Sequence, residues 1–589
     1  MKFMKKTSLL LAVVLSVTSV STFSNGILVK ADENVNVINS VVDPDGGLNY
    51  TQGTLQNTKY GEVKGHEENE GKTLIWSGIP YAKAPIGELR WKAPVNTEKW
   101  TGTFDATKSG NIGIQLSSGK VIGSEDCLNL DIYRPNTNEK NLPVIFYVHG
   151  GNNQTGSSGG ETNFEKLAVN ADCVVVAANY RLGALGFNSL PALKTGDKNE
   201  DSGNYALLDM SKSLDWINDN IAAFGGNPKN ITASGFSAGG RDVMAMLISP
   251  IFKGKFQKAI SFSGGMTTAD PEDSAKVIAK AIAPLVVNDK IKATEDEAYN
   301  WLLTDGKDVK DYLYGLSADR LASLMGNAGI RMSAFPHLYT DGTVIPKEGF
   351  NTKEYNSVPL IMSTGSTEFS LFARYDNKFA AVDDNTLLTN AELNKELRFS
   401  INYGSKLYEL FNADESAKRM NGNYKARIYD CDFEWGNNKD VVGEKMAQLA
   451  GAFHGLWIPF VTGETTGFSA LYKDSFNNAG AQDLGVKFTK YITQFIWYGN
   501  PNSPELVVWK PWNSTSGAPT QLVLDADKDK ANIKMSNERI NYDDVIKEME
   551  ADTTVSKETK DDLIKNVLNG RWFSGKLDEH FDNQSLWIK

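Results

Sequence analysis

Cysteine is nearly absent: Cys127, Cys173 and Cys431 are the only three in 589 residues. That is too few for a disulfide framework in an exported chain of this length, and Cys173, inside the apolar run CVVVAANY, reads as a core thiol. Long hydrophobic runs are also missing. The longest, Leu9 to Val20, falls short of the roughly 20 residues that cross a bilayer, so no membrane span is expected. Lys2, Lys5 and Lys6 precede that run, and small residues followed by Asp32 and Glu33 come after it. This pattern predicts a secretory signal over 1–31, cut after Ala31, and a mature protein that is secreted. Positive charge is not concentrated anywhere. The net charge of −11 and the lack of a basic stripe exclude a nucleic-acid surface. Histidine is scarce too, with five in the chain, which makes each one worth placing.

What is present is the composition of an ordinary globular protein, 41% hydrophobic and 23% charged. Short continuous apolar runs, LPVIFYVHGG, CVVVAANYR, NITASGFSAGG, FQKAISFSGG, VPLIMSTGS and YKARIYDCDF, alternate with helix-like stretches. Continuous runs of this length read as strands buried on both faces. Between them, DMSKSLDWINDNIAAF carries Leu214, Ile217 and Ile221 at helical spacing. The alternation predicts an α/β fold with a mostly parallel central sheet flanked by helices, occupying residues 32–535. Residues 265–350 are more helical and irregular, and are expected to form a helical cap. The remainder, 536–589, is charged and helical in pattern and reads as a solvated surface extension.

Within ITASGFSAGGRD, residues Gly235, Phe236, Ser237, Ala238 and Gly239 form GxSxG between a strand-like and a helix-like stretch. That is the context in which a tight turn lifts a nucleophilic serine hydroxyl out of a sheet. The following helix would aim its N-terminal N–H groups at negative charge. Upstream, the strand PVIFYV ends in His149, Gly150, Gly151 and Asn152. A glycine pair there lets backbone donors approach an oxyanion, so the N–H groups of Gly151, Asn152 and Ala238 are the expected oxyanion hole.

With these segments together, the chain resembles the type-B carboxylesterases, the family of cholinesterases and bacterial para-nitrobenzyl esterases. The resemblance rests on GIPYAKAPIGELRW, SEDCLNLDIYRP, the HGG segment, SGNYALLD and IAAFGGNPKNITASGFSAGG, and covers roughly residues 45 to 515. It implies an α/β-hydrolase fold and places a catalytic acid in VPLIMSTGSTEFSLF, at Glu368. The flanking residues depart from the family pattern, and Asp341 in YTDGTVIP is the nearest competing carboxylate. The base falls at His454 in GAFHGLWIPFV. Counting agrees, because in the order serine, acid, base only His454 and His580 follow Glu368. The resemblance also puts Ser263 of AISFSGG beside the acid.

The implied activity is hydrolysis of a small-molecule ester through an acyl-enzyme, with no metal or cofactor. The same triad would serve amides, carbamates, thioesters or acyl transfer, and some relatives are non-catalytic adhesion proteins. Three departures bear on substrate. Phe236 stands where many members have glutamate, Cys127 lacks the family's disulfide partner, and Asn152 replaces a third glycine. The first two disfavour cationic choline esters. Asn152, Phe236, Leu456 and Trp457 are expected to narrow the pocket, favouring small or medium acyl groups on neutral, aryl or short alkyl alcohols.

Overall fold

The six apolar runs become six adjacent strands of one sheet. The computed structural model describes residues 48–160, 164–324, 331–465, 472 and 474–583; the expected signal segment and its cleavage point lie outside the described residues. Eleven strands pair into a mixed sheet: β1 (His66–Glu68), β2 (Thr73–Pro80), β3 (Asn129–Pro135), β4 (Leu142–Val148), β5 (Val174–Ala178), β6 (Gly226–Phe236), β7 (Lys258–Phe262), β8 (Leu360–Gly365), β9 (Ile428–Phe433), β10 (Gln521–Ala526) and β11 (Ala531–Ser536). Their order is β11-β10-β9-β8-β7-β6-β4-β5-β3-β2-β1. From β5 through β10 every pairing is parallel; the edges are antiparallel.

The pleat sorts side chains between two cores. Val144, Phe146 and Val148 of β4 face one, and Ile145 and Tyr147 face the other. Helix α1 (Phe164–Ala171) belongs to the second core, whereas α2 (Tyr205–Asn220) and α3 (Ala238–Met246) belong to the first. Leu214 and Ile217 of α2, and Ile221 in the turn that follows, are fully buried, as their spacing predicts. Helices α4 (Pro271–Asn288), α5 (Glu295–Leu302), α6 (Lys307–Gly315) and α7 (Ala318–Ala322) fill the expected cap region and add Ile278, Ile282, Leu302 and Leu313 to the first core. Helix α8 (Ala391–Asn412) carries a third core, and α9 (Ala479–Tyr498) completes the second. All three cysteines are buried free thiols.

The C-terminal stretch departs from its expectation. Helices α10 (Tyr542–Ala551), α11 (Lys557–Leu563) and α12 (Gly575–His580) form, but they are not a solvated extension. Val545, Met549, Leu563, Ile564, Val567, Leu568, Trp572, Phe573 and Leu577 pack with Leu397, Tyr403, Leu407 and Tyr408 of α8. Lys560, Arg571 and Asp578 are buried with them. The apolar stripe Val545, Ile546 and Met549 is the face that α10 buries.

Leu568→Ala should therefore cost about 2–5 kcal/mol in urea unfolding, the range for an emptied leucine site. A change within about 0.5 kcal/mol, as for a surface position, would refute the packing.

Candidate active site

The chain leaves β6 at Phe236 and enters α3 at Ala238, so Ser237 alone makes the turn. Its backbone lies at φ 59°, ψ −117°, a region that non-glycine residues enter only when the surroundings impose it. The Ser237 N–H donates to the Phe262 carbonyl of β7 at 2.8 Å, fixing the turn to the neighbouring strand. A Cβ on Gly239 would stand 2.1 Å from the Val148 carbonyl oxygen and 2.7 Å from that of His149. Glycine here is what lets the start of α3 press against the end of β4, where the Gly150–Gly151 loop begins.

That loop turns back through Gly151, Asn152 and Asn153, at φ 96°, 57° and 56°. Gly151 has no substitute, since a Cβ would meet the Thr155 carbonyl oxygen at 2.2 Å. Asn152 adopts the positive φ that asparagine tolerates. Its side chain is tied down: the Arg241 Nη2 donates to its Oδ1 at 3.1 Å, and its own amide donates to Gln154 Oε1 at 3.1 Å. The Asn153 amide donates to Asp242 Oδ1 at 2.9 Å. His149 stacks on Tyr180 with ring centroids 4.4 Å apart, and burial lowers its pKa to about 4. It is therefore neutral, with Nδ1 2.8 Å from the Gly150 carbonyl. Among the described residues, the N–H groups of Gly151, Asn152 and Ala238 have no backbone or side-chain acceptor.

The expected acid and base, Glu368 and His454, come from distant loops. Glu368 follows β8 and is fully buried. Its Oε1 accepts the Ser263 hydroxyl at 2.5 Å and the Gly365 N–H at 2.8 Å, and its Oε2 lies 2.5 Å from His454 Nδ1. Both carboxylate oxygens are thus partnered, and the imidazole's donor is aimed at the acid. His454 Nε2 is buried and has no partner among the described residues. Asp341, the competing carboxylate, accepts the N–H groups of Thr343, Val344 and Ile345 in its own loop. His580 instead contacts Glu550 at 2.8 Å on an exposed surface. The Phe236 ring lies 4.6 Å from that of His454, which brings the base to the residue beside Ser237. Trp457 stacks on Phe262 at 3.8 Å and meets Phe236 edge-on at 5.8 Å. It and Leu456 are core side chains behind Phe236.

The carboxylesterase family model matches residues 52–424. The chain is 30% identical over 489 residues to the para-nitrobenzyl esterase of Bacillus subtilis (strain 168), spanning 80% of this chain and 94% of that protein. This chain belongs to the type-B carboxylesterase family. It is also similar to carboxylesterase 1D of Rattus norvegicus, 35% identical over 350 residues, which are 53% of this chain and 58% of the relative. A solved PNB esterase structure superposes with a TM-score of 0.63 at 28% identity, covering 82% of this chain and 98% of that one. The fold is accordingly the α/β-hydrolase fold.

Several residues of this carboxylesterase's site carried no motif. Phe372 lies 5.0 Å and Tyr408 5.6 Å from the His454 ring, centroid to centroid; the residues over the imidazole come from these positions rather than from α4–α7. Arg241, one turn into α3, lies within the SAGGRD run but is ordinary in pattern. The only available signal was its i+4 spacing from Ser237, which puts both at the same end of α3.

Burial raises the Asp242 pKa from the usual 3.8 to about 7. Between those values the folded chain holds a proton that the unfolded chain has released, so this group's contribution is most favourable below about pH 4 and declines as pH rises toward 7. Asp242→Asn should match wild type in urea unfolding near pH 4 and exceed it at pH 7.5, by at most about 4 kcal/mol. Equal differences at both pH values would rule this out.

Proposed function

We propose that this carboxylesterase hydrolyses esters of small or medium acyl groups with neutral, aryl or short alkyl alcohols, through an acyl-enzyme on Ser237. The observation that carries the reading is the 2.5 Å contact between Glu368 Oε2 and His454 Nδ1, which leaves Nε2 as a proton acceptor with no hydrogen-bond partner among the described residues. In this scheme Nε2 takes the Ser237 proton as the hydroxyl oxygen attacks the ester carbonyl. The N–H groups of Gly151, Asn152 and Ala238 receive the oxyanion, and losing one such donor typically costs about 10²–10³ in rate. The imidazolium, stabilised by Glu368, returns the proton to the leaving alcohol. Water then adds to the acyl carbon with His454 again as base, releasing acid and free serine. Ser263 acts through Glu368, as a positioning residue.

Substrate preference follows from what lines the base. Phe236 supplies no charge for a cationic alcohol, and its ring against His454 makes the surroundings apolar. Export is supported by the basic and apolar pattern of residues 1–31; among the described residues no helix is long and apolar enough to cross a membrane.

A panel of para-nitrophenyl esters of increasing acyl length, with an anilide beside it, tests this. Wild type should be fastest on short or medium esters, and Ser237→Ala should lose about 10⁶ in turnover, as in a comparable triad. A variant that keeps more than a tenth of the activity would overturn the nucleophile; rates climbing steadily to the longest acyl chain would overturn the preference. Ser263→Ala removes one hydrogen bond to a carboxylate, about 1.5–3 kcal/mol, so kcat should fall by roughly 10–100-fold with KM little changed. An unchanged kcat would remove Ser263 from the scheme.

A further inference from the structure

The C-terminal segment, beyond the family-matched residues 52–424, reaches both sides of the candidate site. On the base side, Tyr408 lies 5.6 Å from the His454 ring at an interplanar angle of 26°. Phe573 stacks on Tyr408 at 4.6 Å, and Trp572 meets it edge-on at 5.7 Å. On the oxyanion side, Arg241 holds Asn152, and its guanidinium sits 4.1 Å over the Trp572 ring. Trp572 therefore touches both Tyr408, which lies against the His454 ring, and Arg241, which holds Asn152.

Its position is fixed from behind. The Arg571 Nη2 donates to Asp376 at 2.9 Å, the Arg571 N–H to Ser574 Oγ at 2.9 Å, and the Ser574 hydroxyl to Asp578 at 2.6 Å. Trp572 is 6% exposed and Tyr408 fully buried, and the indole N–H of Trp572 faces the phenol oxygen of Tyr408, so each side chain holds the other in place beside the base.

We propose that Trp572 is a specificity-determining residue: a wall supplied by the C-terminal segment, with Tyr408, that limits the size of the ester group accommodated between His454 and the oxyanion loop. This rests on the hydrolytic reading above. The aromatic pair sets a steric limit.

The test uses the full chain with Trp572→Ala, Trp572→Phe and, as an exposed control in the same segment, Lys576→Ala. One arm compares para-nitrophenyl acetate, butyrate and octanoate; the other compares methyl and 1-naphthyl acetate. Active sites are titrated with a fluorophosphonate, and melting temperatures are recorded. Trp572→Ala should raise the large-to-small ratio of kcat/KM by about tenfold or more in one arm, chiefly through KM, in line with the 10–200-fold that a change of pocket volume brings. Trp572→Phe should raise it about threefold, and Lys576→Ala should leave it unchanged. Whichever arm responds identifies the side, acyl or alcohol, that Trp572 faces. A residue that only supported the fold would lower the titrated site concentration and scale all esters alike. Ratios within twofold of wild type in both arms, in whichever tryptophan variant is folded, overturn the proposal. A wild-type chain that turns over none of the esters refutes the hydrolytic reading itself, by a result distinct from an unchanged ratio.

Discussion

At Ser237 one residue reverses the chain between a buried strand and a helix, and nearly every contact of the site is arranged around keeping it there. The turn needs the Phe262 carbonyl of β7 on one side and the end of β4, within touching distance of Gly239, on the other. Because α3 begins at once, its first turn carries Arg241 and Asp242 back over the loop after β4, where they hold Asn152 and Asn153. The strained elbow and the loop of Gly150–Asn153 are thus one mechanical unit, in which strain at Ser237 is balanced by many ordinary contacts.

Electrostatics around this unit follow two different solutions to the same cost. A buried carboxylate is tolerated when its oxygens are satisfied, and Glu368 accepts Ser263, Gly365 and the His454 ring. Arg241 has no carboxylate in hydrogen-bonding contact among its described partners. It is buried against the Trp572 face, the Asn152 carbonyl oxygen, the Met332 sulfur and His337 Nε2, and burial lowers its pKa. His337, with its own pKa driven well below the usual value by burial and by Arg241, stays neutral and accepts from the guanidinium. A π face and neutral acceptors keep the charge unneutralised, which leaves positive potential next to the expected oxyanion.

The sheet was legible because parallel strands buried on both faces are written as continuous apolar runs, and β4 through β9 are those runs. Ser237 and the glycine loop were legible because tight turns restrict residue type locally. Glu368 needed the family resemblance, since TGSTEFSL carries no local signature; what separates it from Asp341 is only that one carboxylate meets an imidazole and the other caps its own turn. Tyr408, Trp572 and Phe573 were not legible at all. Their contacts with His454, Arg241 and one another join segments far apart in sequence, and a stacked aromatic pair imposes no spacing on the chain. Helices α10, α11 and α12 lie in the charged C-terminal stretch, where net polarity hid the narrow stripe that α10 buries.

That docking changes what the added length means. Were the segment held only by surface charge pairs, each worth about 0–1 kcal/mol, it would open and close independently of the loops that carry Glu368 and His454. Instead Leu563, Val567, Leu568 and Phe573 share one core with Tyr408, and Tyr408 lies on the imidazole. Packed cores rearrange cooperatively rather than by continuous deformation. The free energy that keeps the tail in place is therefore also free energy that keeps His454 in its orientation, and the outermost part of the sequence becomes structurally inseparable from its centre.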